Sequence, residues 1–145
     1  MIEATDSFHL QRFLSAQEPV FKTVASELKA GRKLSHWMWF IFPQIIGLGR
    51  SPMAVQYSIT CAAEARAYLA HPILGPRLEE CVQLVLRVDG RTAQGIFGNI
   101  DAIKLRSCLT LFASVSDSSL FDAALDKYFD GQVDPTTLNI LRKND

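Results

Sequence analysis

The chain has 145 residues, 48% hydrophobic and 21% charged, with 15 basic and 15 acidic side chains. That balance excludes a disordered or low-complexity protein, and zero net charge argues against a global field for nucleic acid or anionic membrane. One domain over 1–145 is expected, with a core large enough to stand without disulfides.

The start of the chain, residues 1–6, lacks the basic and apolar regions of a signal peptide, so a cytoplasmic setting is the default expectation. Asp6 or Ser7 is placed to cap a short helix carrying Phe8, Leu10, Phe13 and Leu14. Residues 15–18 have the Ser-x-x-Glu form of a capping box, and Pro19 suits the first turn that follows. The helix so introduced buries Val20, Phe21, Val24 and Leu28, and Gly31 stops it. The stretch 36–42 is almost wholly apolar and aromatic. Periodicity does not separate buried helix from strand there, and its helical surroundings favour helix.

Residues 43–50 read as a loop with Gly47 and Gly49 at its turns. Ser51-Pro52 combines an N-cap with a proline at the first helical position and opens a helical stretch, bent or straight, to about Ala70. His71-Pro72 ends it. Gly75-Pro76 starts another helix, whose core face is Leu78, Cys81, Val82, Val85 and Leu86. A turn over 92–97 precedes Gly98. Asn99 or Asp101 then caps a helix burying Leu105, Cys108, Leu109 and Phe112. Ser118 or Ser119 caps the next, with Phe121, Ala124, Leu125 and Tyr128 on one face and Gly131 at its end. Asp134-Pro135 caps a last short helix holding Leu138 and Leu141. The reading is all-α, with seven to nine short helices and no alternating strand. No apolar run approaches the length of a membrane span.

Cys61, Cys81 and Cys108 are odd in number and widely spaced, with no zinc-ligand pattern, so free buried thiols are expected and no metal or cofactor is indicated. Residues 28–63 contain no Asp or Glu but carry Lys29, Arg32, Lys33 and Arg50, a local basic bias that points to an anionic ligand.

Four groups of residues have the chemistry of a site. Gly47, Gly49, Arg50 and Ser51 open a helix, where backbone N–H groups and a guanidinium can hold an anion, with Lys33 and His36 shortly upstream. The loop is neither a Walker A motif nor a dinucleotide fingerprint, and a turn followed by an ordinary cap explains it as well. Trp37, Trp39, Phe40 and Phe42 would wall a flat ligand or fill the core. Glu64, Tyr68 and His71 share one helix face and offer acid–base chemistry if they line a cleft, or serve as polar groups satisfied between helices. Asp101, Lys104, Ser107 and Thr110 step along a helix; a Ser–Lys nucleophile there reverses the known order, and an Asp101–Lys104 surface pair is the simpler reading.

The run Gly31-Arg32-Lys33, then Ser35 through Gln44, and Gly47-Leu48-Gly49-Arg50-Ser51 closely resembles a bacterial family known as domain of unknown function 1810. The resemblance extends through Glu64 to Pro72, Leu74 to Leu78, Ile96-Phe97-Gly98, Asp101 with Lys104 to Ser107, Thr110 to Phe112, and the 134–141 end. It implies one helical domain and supplies no reaction. The label calpastatin, attached to some members, implies a disordered repetitive inhibitor and conflicts with this apolar, repeat-free chain. The matching motifs contain Lys33, His36, Gln44, Ser51, Glu64, Tyr68, His71, Arg77, Asp101 and Lys104, which suggests a shared polar pocket. The expectation is a pocket for a small anionic molecule, such as a nucleotide or nucleotide-derived metabolite. Lys33, Arg50 and the loop amides would hold the anion, Trp37 would wall it, and His36, Glu64 or His71 would act as acid or base. The rival expectation is a non-catalytic helical interaction module. The sequence leaves oligomeric state open.

Overall fold

The computed structural model describes residues 6–145. The segment 1–5, on which most of the signal-peptide reading rests, lies outside them. Among the described residues ten helices follow in order: α1 (Gln11–Gln17), α2 (Phe21–Lys29), α3 (Met38–Ile41), α4 (Pro52–Gln56), α5 (Ala62–Ala70), α6 (Leu74–Leu86), α7 (Ala93–Phe97), α8 (Asn99–Ala113), α9 (Leu120–Phe129) and α10 (Pro135–Asn144). The all-α reading holds, with more and shorter helices than expected. No helix among the described residues is long and apolar enough to cross a membrane.

The longest helices, α6 and α8, form the centre. Both α5 and α9 pack against each of them, α2 covers α6, and α7 and α10 cover α8. One hydrophobic cluster runs through these layers from Leu10 to Leu141, with Phe13, Trp37, Phe42, Tyr68, Phe112 and Phe121 among its largest members.

Several boundaries differ from the expected ones: α8, expected to be capped by Asn99 or Asp101, begins at Asn99 behind Gly98 without a side-chain cap. Residues 15–18 are not a cap: α1 continues to Gln17, and α2 begins at Phe21 without a side-chain cap. The local Ser-x-x-Glu pattern loses because Phe13 and Gln17, one turn apart, are both buried on the face of α1. The stretch from Ser51 to Ala70 is two helices, broken by extended residues around Ile59. Ile59 pairs with Ile45 in an isolated parallel bridge, its N–H donating to Gln44 O at 2.8 Å while Ile46 N–H donates to Ile59 O at 2.8 Å. The β-branched Ile59 and Thr60 favour that extended backbone.

Three buried polar joints hold the segments that no helix organises. Glu27, 8% exposed on α2, accepts from the Leu34 and Ser35 N–H groups at 2.8 and 3.0 Å, the Ser35 hydroxyl at 2.6 Å and the Trp37 indole N–H at 3.0 Å. Arg12 donates to the carbonyls of Phe8, His9, Gln56 and Ser58 and pairs with buried Glu64 at 2.9 Å. Gln17 donates its amide to Phe40 O at 2.7 Å and to the Tyr68 hydroxyl at 3.1 Å. The first joint fixes the 31–37 connection, the second ties α1 to the bridge segment before α5, and the third ties α1 to α3 and α5.

Burial pushes the Glu27 carboxyl up, but the Ser35 hydroxyl, the two amides and the indole outweigh it and hold it at about 2. A folded-state value below the unfolded 4.5 stabilises the protein above pH 4.5, and that contribution is lost as pH falls from 4.5 toward 2. Glu27→Gln should therefore cost about 2 kcal/mol at pH 7. Urea unfolding of both proteins at pH 7 and pH 3 checks this: the gap should narrow at pH 3, and an unchanged gap contradicts the assignment. Arg12→Met leaves buried Glu64 without its cation and should cost about 3 kcal/mol, with Arg12→Lys recovering less than half because an ammonium cannot span the same carbonyls. Urea midpoints of the three proteins give the comparison.

Candidate functional site

The residues read from sequence as one site divide among separate places. Lys33, Trp37, Asp101 and Lys104 come together. The Lys33 backbone N–H donates to Ile96 O at 2.8 Å, which seats the 31–37 connection against α7. Its ammonium donates to Ser35 O at 2.6 Å, pairs with Asp101 at 2.9 Å and lies 5.0 Å above the Trp37 ring. Trp37 is 1% exposed and packs edge-on to Phe97 and tilted to Phe42. Lys33 is thus a buried strut with its donors engaged. Lys104 differs. Its ammonium lies 3.4 Å from the other Asp101 oxygen and 5.3 Å from the half-buried Trp39 ring, and its side chain remains 23% exposed.

Lys104 opens into a groove of about 380 Å³ between the 44–49 loop, the first turns of α8 and the start of α10. Gln44, Leu48 and Gly49 form one bank; Asp134 and Thr136 form the other. The Gln44 side-chain amide and the Thr136 hydroxyl have no partner among the described residues. Gly47 has φ +100, a backbone few side chains adopt, and a Cβ on Gly49 would stand 2.5 Å from Ala54 Cβ. Both glycines therefore answer to the shape of their own loop, which presents Leu48 to the groove.

Ser51 caps α4 as expected, its hydroxyl accepting from the Ala54 N–H at 3.2 Å. With five residues, α4 carries little macrodipole, and its cap already uses one of the N–H groups that an anion would need. Arg50 and His36 are exposed, and neither side chain has a hydrogen-bond partner among the described residues.

The acid–base set is dispersed. Glu64, 2% exposed, accepts from the Thr60 N–H and hydroxyl and from Arg12. Tyr68 is fully buried, its hydroxyl pushed well up by burial. His71 Nδ1 accepts from the N–H groups of Ile73 and Leu74 at 3.1 and 3.2 Å and so caps the start of α6. Arg77 pairs with Glu18 at 2.9 Å, donates to Gln17 and covers the Phe21 ring. These groups join helices and share no cleft with Lys104. Ser107 lines the groove, and its hydroxyl donates to Asp134 rather than meeting Lys104.

The three cysteines are free. Burial pushes the Cys81 thiol up to about 12 and the Cys108 thiol well above its ordinary value, which keeps both protonated and unreactive. No cluster of metal-ligating side chains occurs among the described residues. A second cleft, of about 460 Å³, lies between α5 and α10 over Leu138 and Leu141, with Arg66, Arg142 and Asp145 at its rim. None of the residues singled out from sequence lines it.

Asp134, Gln17, Arg12 and Glu27 are the structural polar residues that the site reading did not include. Asp134 was recognised only as a cap. The others sit inside amphipathic helix patterns, where a polar side chain has the same signature whether it meets water or a second segment.

A crystal structure of the conserved hypothetical protein Rv1873 from Mycobacterium tuberculosis is similar to this chain, with 52% identity and a TM-score of 0.93 over 94% of this chain and 99% of that one. No curated protein matches it. A family model described as "Protein of unknown function (DUF1810)" matches residues 7–141, and the chain belongs to that family.

Proposed function

We propose that the groove beside α8 binds a small anionic molecule, such as a nucleotide or nucleotide-derived metabolite, with Lys104 as its cationic contact. The observation that carries this reading is the contrast between the two lysines on Asp101. Lys33 is enclosed and saturated, whereas Lys104 holds the same carboxylate at a longer distance and keeps a partly exposed side chain at the groove. One carboxylate between two ammonium groups leaves a net positive charge there. The unpartnered Gln44 amide supplies directional hydrogen bonds, and Leu48 supplies an apolar wall. Arg50 remains on the exposed end of the same loop as a further cation. Binding without catalysis is the proposal, because His36, Glu64 and His71 do not converge on the groove. Buried free thiols suit the cytoplasmic setting suggested by the sequence.

A second reading, the interaction module, has its own observation: Leu34, Ile100 and Ile103 are each more than 65% exposed, and the two isoleucines edge the groove. Against it, Trp37 is enclosed and Trp39 lies half-buried beneath Lys104, so neither indole offers an open docking face.

Thermal unfolding with inorganic phosphate, nucleotides and ADP-ribose at millimolar concentration tests the reading. A ligand at about 100 times its dissociation constant adds about 2.7 kcal/mol and raises Tm by several degrees. Lys104→Met should abolish that shift while leaving the unliganded Tm within a degree or two, since Asp101 keeps Lys33. No shift with any of these compounds, or a full shift in Lys104→Met, refutes the proposal.

A further inference from the structure

Asp134 gives the groove a second, opposite charge. Its Oδ2 accepts from the Ser107 hydroxyl at 3.1 Å, the Thr137 N–H at 3.3 Å and the Thr137 hydroxyl at 2.6 Å. Its Oδ1 has no hydrogen-bond partner among the described residues, while Asp134 lines the groove with Lys104. The carboxylate is held rigidly, because Thr137 is fully buried and the Asp134 N–H donates to the buried Thr110 hydroxyl at 2.9 Å. One oxygen is therefore fixed by the cap of α10, and the other is left without a partner on a residue that lines the groove.

The two charges have a defined spacing. The Lys104 ammonium reaches back to Asp101, and Ser107, which touches Asp134, lies six residues after Asp101 on α8, so the ammonium and the Asp134 carboxylate are about two helical turns apart, roughly 9 Å along the helix. A plain anion at Lys104 would face across that gap a carboxylate with no ion-pair partner among the described residues, since the nearby Arg106 guanidinium is engaged by the Gln132 and Val133 carbonyls. Like charges at such range repel, and a partly enclosed groove screens them less than water. An anion that also carries an N–H donor or ammonium removes the repulsion and gains a charge-assisted hydrogen bond.

We propose that the ligand is zwitterionic: an anionic head at Lys104 with an ammonium or N–H group about two helical turns away at Asp134. This rests on the anion-binding reading of the groove and narrows it to a substrate class. Asp134 is then a specificity-determining residue, and Ser107 and Thr137 are the positioning residues that aim it.

The test compares 5-aminopentyl phosphate, whose extended spacer matches about two helical turns, with pentyl phosphate by calorimetric or NMR titration of the full chain. The amine-bearing compound should bind about tenfold more tightly. In Asp134→Asn the amide oxygen retains the three cap bonds and an NH₂ replaces the unpartnered oxygen, so the preference should fall to about twofold or invert; asparagine caps helices well, and an unchanged Tm verifies the fold. Equal binding of both compounds by the natural protein overturns this inference and leaves the anion site standing. A tenfold preference that survives in a folded Asp134→Asn protein also overturns it. Binding of neither compound at millimolar concentration overturns both the inference and the reading beneath it.

Discussion

The buried Glu27 carboxylate is the constraint on which the candidate site depends. A charged side chain on the inner face of a helix is tolerated only when its oxygens are fully hydrogen-bonded, and here the donors come from the connection that follows that helix. Satisfying Glu27 therefore forces residues 34–37 to wrap back over α2. That wrap delivers Trp37 into the aromatic group of Phe42 and Phe97, and it brings the Lys33 backbone against Ile96. Because Ile96 belongs to α7, which leads directly into α8, the position of Asp101 and Lys104 follows from where Glu27 holds its loop.

The charges around Asp101 show why two lysines of equal formal charge play different parts. Lys33 is enclosed by its own turn, an indole and the carboxylate, so its worth is architectural: it ties the wrapped connection to α8. Lys104 sits one turn along the same helix as its acid, a spacing at which exposed pairs are worth only a few tenths of a kcal/mol (about 0.3–0.5). A contact that feeble is easily exchanged for a ligand. Proximity to one carboxylate does not rank the two lysines; enclosure and hydrogen-bond saturation do.

Much of the helical order was legible because it rests on local chemistry. Ser51 and Asp134 cap the helices they were expected to cap, and Pro52 and Pro135 follow each at the first helical position. The break between α4 and α5 was not legible, since the helical reading through Ser58, Ile59 and Thr60 fails only when Ile45 arrives from another segment to pair with Ile59. The site was partly legible for the same reason. Lys33, Trp37, Asp101 and Lys104 were singled out and do meet, yet nothing in their spacing separates them from Glu64, Tyr68, His71 and Arg77, which became joints between helices. Glu27 and Arg12 carry no local signal at all: their partners lie in loops whose path is set by the whole fold.

The energetics of the groove make a single-cation account insufficient. An ammonium and a phosphate oxygen about 4 Å apart attract by about 1 kcal/mol in water and about 4 kcal/mol at the effective dielectric of a protein surface. The upper figure equals millimolar affinity, before the costs of ordering the ligand are met. Lys104 alone would therefore steer an anion toward the groove without selecting one. Selection has to come from groups whose positions are fixed before binding, and among the polar side chains lining the groove Asp134 is the one locked by several hydrogen bonds at once. In the proposed site a rigid acceptor opposite a flexible lysine would divide recognition between the two banks: the lysine would adapt to the anion, and the carboxylate would accept only what arrives with a proton to share.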